Sequence, residues 1–156
     1  GHELKPTSFS HPIAFNLIPQ IDDFTDNGYT KEEMKMVNET KKILGDNSIR
    51  MSATAVRVPV FVSHSESVNI QTKSKITVDE VTNLLENASG VRVLDDVANS
   101  IFPTPRDVAG EDDVFVGRIR QDISHENGID LWCVGDNLRK GAALNAVQIV
   151  QALINN

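Results

Sequence analysis

The chain has 156 residues, 40% hydrophobic and 24% charged, enough for one globular domain with a real core. A formal net charge of -7, with no Lys/Arg run longer than a pair, argues against a nucleic-acid surface, and no apolar stretch is long enough for a membrane span. The lone cysteine, Cys133, excludes an intrachain disulfide framework; with no signal peptide recognisable, it fits a reducing cytoplasm. Gly1-His2 reads as the remnant of an expression tag and enters no fold or metal argument. With no start methionine and no recognisable opening element, the chain is expected to be a piece of something longer.

Residues 3–12, with two prolines and several Ser/Thr, read as an irregular lead-in. Ile13 to Ile21 is apolar but carries Pro19, which favours an extended segment over a helix interior. The stretch from Asp22 to Gly28 is an acidic loop ending in an Asn-Gly turn, without the ligand spacing of a calcium loop. Thr30 and Glu33 form a capping box that starts a helix running to about Leu44, with Gly45 as its stop. Met34, Val37 and Leu44 mark its core stripe, whereas Glu32, Lys35, Glu39 and Lys42 share a polar face whose bland reading is a solvated ladder of ion pairs.

After a turn at Asp46-Asn47, the valines at 56, 58, 60 and 62 alternate with other residues and predict a central strand over about 49–62. Arg57, Pro59 and His64 are set into or just beyond this run. Arg57 has the fork that grips a carboxylate, and His64 can move a proton near neutral pH. The blander alternative puts Arg57 on a solvated face and leaves His64 as a strand cap. Residues seven apart on a regular strand face opposite ways, so the two converge only if Pro59 bends or bulges it.

Val68 to Lys73 predicts a second strand. Thr77 and Glu80 form another capping box, for a helix over 78–88 with Val81, Leu84 and Leu85 on its buried side. Val91 to Leu94 is a short strand, and 95–112 is a long loop punctuated by Pro103, Pro105 and Gly110. Strands at 113–122 and 129–134 form an antiparallel pair through Ser124-His125-Glu126-Asn127-Gly128. Asn137 to Leu153 predicts a closing amphipathic helix. Strands and helices alternate, yet the hairpin signals favour an α+β class with a mixed, largely antiparallel sheet.

Arg118 and His125 repeat the spacing of Arg57 and His64, but His125 sits in a polar turn with nothing to fix its tautomer. Cys133 lies in an apolar strand that resembles core more than an activated thiolate site. No histidine, cysteine or carboxylate grouping has a metal-site spacing, and no glycine-rich loop cradles phosphates. From residues alone the chain offers an acid/base histidine beside an anion-binding arginine, without a nucleophile or a cofactor cradle.

Several stretches, in order across about 11–153, resemble the bacterial aspartate-semialdehyde dehydrogenases. They are Pro12-Ile13-Ala14-Phe15-Asn16, Pro19-Gln20-Ile21-Asp22, the helix from Lys31 to Leu44, Arg57-Val58-Pro59-Val60 to His64-Ser65-Glu66-Ser67, Phe115-Val116-Gly117-Arg118-Ile119-Arg120 and Gly135-Asp136-Asn137-Leu138-Arg139-Lys140-Gly141-Ala142-Ala143. That resemblance implies a catalytic/dimerisation domain like that of glyceraldehyde-3-phosphate dehydrogenase, with helices packed on one face of the sheet. It implies reduction of L-aspartyl 4-phosphate to L-aspartate 4-semialdehyde with NADPH and release of phosphate, on the route to lysine, methionine and threonine, in a homodimer. By the same resemblance His64 is the acid/base histidine and Arg57 grips the substrate carboxylate. Glu32 holds the substrate amino group, Lys35 contacts phosphate, and Asn137 approaches the nicotinamide end of NADP.

The family's nucleophilic cysteine, its partner glutamine and its nucleotide-binding domain precede the matching region. Residues 11–136 are therefore expected to be the catalytic/dimerisation domain, following a lead-in over 1–10, in a chain inactive alone. Residues 137–156 are expected to hold a helix that packs on the absent nucleotide-binding domain and is here displaced, exchanged between chains or packed on a neighbouring copy. Two alternatives stand beside this. One is a related reductase of an N-acetylglutamyl phosphate, whose substrate has no ammonium for Glu32 to hold. The other is a non-catalytic dimerisation module.

Overall fold

A computed structural model describes residues 8–154, so Gly1-His2 and the start of the lead-in lie outside the described residues. Internal packing divides the chain into two units, residues 1–59 and 60–156.

In the first unit the predicted helix is present as α1, Lys31–Leu44. Thr30 is extended at φ -79°, its hydroxyl accepts the Glu33 N–H at 3.2 Å, and Glu33 Oε2 accepts the Thr30 N–H at 2.8 Å. This is the predicted capping box, which satisfies two of the N–H groups a helix start leaves unpaired. Glu32 and Glu33 in the first turn and Lys41 and Lys42 in the last complement the helix dipole. Gly45, left-handed at φ 65°, closes the helix. The expected core stripe is only partly realised: Met34 and Val37 are half-buried, but Leu44 is 64% exposed.

The expected strand over 49–62 does not form. Its one ladder contact is an isolated antiparallel bridge between Arg57 and Ile18. Pro59 has no N–H to donate, and the alternating valines find no sheet: Val56, Val58 and Val60 are exposed, and Phe61 fully so.

The second unit is a four-stranded sheet in the order β1-β4-β3-β2. Its strands are β1, His64–Gln71, β2, Val91–Val93, β3, Val114–Gln121, and β4, Gly128–Gly135. β4 pairs antiparallel with β1 and β3, and only β2 and β3 run parallel. The sheet is thus mixed and largely antiparallel, as expected. The second predicted strand begins earlier than its apolar alternation, at His64, because an edge strand with one open face is allowed polar residues. On one face Val116, Ile119, Ile129 and Leu131 form the core, covered by Val78, Val81 and Leu85 of helix α2, Val78–Glu86. Burial of each of the four core side chains is worth about 1.5–3 kcal/mol, and the half-buried α2 residues contribute less. The Thr77/Glu80 capping box is present, but Leu84 points outward, 62% exposed. On the other face Val108, from the one-turn helix α3, Pro105–Val108, packs with Phe115 and Val134.

β3 carries a bulge between Gly117 and Arg120, with Arg118 at φ 55°, held by the Ile119 N–H donating to Asp95 Oδ2 at 2.8 Å. After β4 the chain does not enter a helix at Asn137 as expected. Gly141 at φ 87° and the non-helical Lys140 and Ala142 interrupt residues 139–143, and the regular helix α4 is Leu144–Ile154. None of its residues is buried; Val147, Ile149 and Leu153 are exposed.

A Cβ on Gly117 would lie 2.3 Å from the Leu94 carbonyl oxygen and 2.7 Å from Pro103 Cδ, whereas one on Gly135 would meet only Val114 Cγ2 at 3.7 Å. Gly117→Ala should therefore lower stability by about 1–3 kcal/mol or more, since backbone cannot yield as a side-chain tip does. Gly135→Ala should change it by less than about 1 kcal/mol. Urea midpoints check the pair, and equal midpoints would remove the close approach as the reason for glycine at 117.

Candidate functional site

The first unit holds Glu32, Lys35 and Arg57. Glu32 and Lys35 lie one turn apart on α1, and Lys35 Nζ sits 2.9 Å from each Glu32 carboxylate oxygen. Hydrogen bonding to Glu32, then its charge, raises the Lys35 pKa. The pair is partly exposed, so its net contribution to stability is small and it is free to change partners.

Arg57 is half-buried and fixed through its main chain: its N–H donates to the Ile18 carbonyl at 2.8 Å and its carbonyl accepts the Ile18 N–H at 3.1 Å. Ile18 is 2% exposed. The Arg57 guanidinium lies 4.8 Å from the centre of the Phe9 ring. No carboxylate pairs with it among the described residues. Two positions before it, the Ala55 N–H donates to Glu33 Oε1 at 2.8 Å. Glu33 thus does more than cap α1: its second oxygen ties the segment bearing Arg57 to the helix bearing Glu32 and Lys35. Its pKa is lowered, first by the Thr30 N–H and then by the Ala55 N–H.

The second unit holds His64 and Asn137. His64 opens β1 opposite Gly135, with its side chain exposed. Before it, Ser63 is buried and left-handed at φ 80°. The Ser63 N–H donates to Asn137 Oδ1 at 2.9 Å and its hydroxyl to the Pro105 carbonyl at 3.3 Å. Asn137 is held in turn by Asp136, 4% exposed. Asp136 Oδ2 accepts the Gly110 N–H at 2.7 Å and Oδ1 the Leu138 N–H at 2.9 Å, which keeps its carboxyl below the usual aspartate range. With Oδ1 of Asn137 engaged, its Nδ2 is left as a donor without a partner among the described residues.

Sequence reasoning passed over Ser63, Asp136 and the second bond of Glu33, because each acts on a distant main-chain segment. The rival residues have other settings. His125 is exposed in its turn, where Nδ1 accepts the Asn127 N–H at 3.2 Å. Arg118 leans on Phe102 at the mouth of a cavity of about 320 Å³ that His125 does not line. Burial pushes the Cys133 thiol up to about 11, with the Glu66 charge adding to it, so it is no activated nucleophile.

A family model described as semialdehyde dehydrogenase, dimerisation domain, matches residues 1–140. The chain is 56% identical over 154 residues to the aspartate-semialdehyde dehydrogenase of Legionella pneumophila, covering 98% of this chain and 44% of that protein. Among solved structures it resembles aspartate semialdehyde dehydrogenase II of Vibrio cholerae, complexed with ASA, at a TM-score of 0.92 and 53% identity. That match covers 97% of this chain and 45% of the other. The Candida albicans aspartate semialdehyde dehydrogenase, solved with NADP, matches at a TM-score of 0.63 and 26% identity over 81% of this chain and 40% of its own. The chain thus spans less than half the length of these relatives.

Because the Glu33 pKa is lowered on folding, its carboxylate stabilises the fold above the ordinary glutamate pKa, and that contribution fades as pH falls through the lowered value. A glutamine there offers one acceptor for two N–H donors. Glu33→Gln should lower the denaturant midpoint at pH 7 and lose less further stability between pH 7 and pH 3 than the parent. Parallel pH profiles for the two would show that the carboxylate charge does not carry this junction.

Proposed function

The chain belongs to the family of semialdehyde dehydrogenase dimerisation domains, and on that premise we propose that it is the C-terminal part of an NADP-dependent aspartate-semialdehyde dehydrogenase. The full-length protein would convert L-aspartyl 4-phosphate to L-aspartate 4-semialdehyde and phosphate, supplying lysine, methionine and threonine synthesis in the cytoplasm. A homodimer is supported by the description of the family as a dimerisation domain. The observation that carries the substrate reading is Arg57, a half-buried guanidinium held at its main chain, with no carboxylate on it among the described residues. Such a group calls for an anion of fork geometry, and the α-carboxylate of an aspartyl substrate supplies one.

Glu32 and Lys35 fit the remaining charges. A ligand carrying both an ammonium and a phosphate can exchange partners with the pair, the ammonium taking Glu32 and the phosphate Lys35. His64 is the acid/base group of this reading, taking a proton from an attacking thiol and returning one to the substrate. That thiol would come from the part of the relatives this chain does not match, since burial disfavours the thiolate of Cys133. Asn137, through its free Nδ2, is the residue here suited to the nicotinamide end of the cofactor, whose reduced form, NADPH, would supply the hydride when bound. The exposed apolar side chains of α4 fit a helix that packs on the nucleotide-binding part.

In the full-length protein, Arg57→Lys should raise KM for the aspartyl substrate tenfold or more, about 1.4 kcal/mol, with a smaller effect on kcat. His64→Ala should lower kcat by about 10²–10⁴. Glu32→Gln should weaken use of the amino substrate and leave an N-acetylated analogue unaffected. Steady-state kinetics of phosphate-dependent NADP reduction read all three; preference for the N-acetylated substrate in the parent would overturn the assignment.

A further inference from the structure

His64 presents a problem that its own side chain does not solve. It is exposed at the start of an edge strand, and its imidazole takes no hydrogen bond among the described residues. A proton-transfer group works only if it is held where the proton must go. Whatever holds this one therefore acts through the main chain.

The residue before it is where the main chain is constrained. Ser63 is one of the few non-glycine residues at positive φ, a conformation that persists only where its surroundings enforce it. Both of its polar groups are used. The N–H is taken by Asn137, 74 residues away in sequence, and the hydroxyl by the Pro105 carbonyl. Asn137 itself stands in a turn clamped by Asp136: the carboxylate holds Gly110 and Leu138, and the Asp136 carbonyl accepts the Arg139 N–H at 3.1 Å and the Lys140 N–H at 2.8 Å. Residues 63, 105–110 and 136–140 close a ring of hydrogen bonds around the first residue of β1.

We infer that this ring is a clasp that aims His64, with Ser63 and Asp136 as positioning residues and Asn137 as the link between the clasp and the nicotinamide end of the cofactor. The chemical part rests on the dehydrogenase reading; the geometric part does not. Asn137 has two ends with two tasks: Oδ1 fixes Ser63 and so His64, while Nδ2 faces whatever carbonyl lies beyond. The clasp orients the amide, and the same amide sets the strand that carries the histidine.

The test uses three substitutions. Asn137→Ala removes the acceptor of the Ser63 N–H, Asn137→Asp keeps it while losing the Nδ2 donor, and Ser63→Gly keeps the N–H while removing the hydroxyl and relieving the strain of the positive φ. In this chain, amide exchange at Ser63 and the NMR titration of the His64 ring are followed, with the Leu131 amide in β4 reporting that the sheet remains folded. Asn137→Ala should speed Ser63 exchange at least tenfold and displace the His64 ring signals, whereas Asn137→Asp and Ser63→Gly should keep Ser63 protected.

In the full-length protein, Asn137→Ala should lower kcat at least tenfold and move the acid limb of its pH profile, with KM for the aspartyl substrate within twofold. Asn137→Asp should recover kcat at saturating NADP while its KM for NADP stays raised. Unchanged His64 signals in Asn137→Ala, with or without loss of Ser63 protection, would overturn the clasp. A parent protein with no reductase activity would overturn the dehydrogenase reading alone, because the ring signals still decide the geometry.

Discussion

A carboxylate taken out of water has to be met by donors, and here two of them are met by main-chain N–H groups drawn from separate segments. Glu33 takes Thr30 and Ala55; Asp136 takes Gly110 and Leu138. Each junction holds chain that no regular ladder holds. The stretch at 55–57 has one isolated bridge, and the 137–143 stretch is neither strand nor regular helix. Without the carboxylates these segments would leave polar groups unpaired and their course unspecified. The residues assigned chemical roles sit beside the junctions: Glu32 next to Glu33, Arg57 two positions past Ala55, Asn137 next to Asp136.

The sheet shows the same reliance on a few unforgiving contacts. Gly117 lets β3 press its backbone against Leu94 and Pro103, and the next residue turns left-handed into the bulge that Asp95 secures. At the turn of the hairpin, Asp122 accepts a hydrogen bond from Asn69 Nδ2 on β1 and from the Ser124 N–H and hydroxyl, which holds its carboxyl at about 2. Strand register around β4 is thus pinned at the mid-strand bulge and at the hairpin end, and β4 in turn pairs with β1 from His64 onward.

What was legible in the sequence was local. Both capping boxes, the Gly45 stop and the β3–β4 pair rest on residues a few positions apart, where the interacting partner can be read directly. The strand over 49–62 was misread because alternation of valines reports a demand for burial and says nothing of a ladder partner; Pro59 and the lack of a neighbouring strand decided otherwise. Gly141 ended the helical reading of 137–153 through its left-handed backbone, although the apolar stripe continued across it. Among the site residues, the pairing of Glu32 with Lys35 follows from spacing. The anchoring of Ser63 by Asn137 crosses most of the second unit and leaves no periodic mark. An aspartate directly followed by asparagine just past a strand is the one available sign, and an aspartate there is more often just a turn.

Two kinds of carboxylate therefore divide the work. Glu33 and Asp136 are buried, and each accepts bonds from backbone that has no alternative partner, so neither can be released without unfolding its junction. Glu32 is paired with the half-exposed ammonium of Lys35, where the energy at stake is small. Carboxylates of the first kind fix the main-chain frame of their own unit, and the second kind is left able to exchange its partner. Arg57 stands between the two kinds, its main chain fixed as firmly as the frame and its guanidinium left open over Phe9.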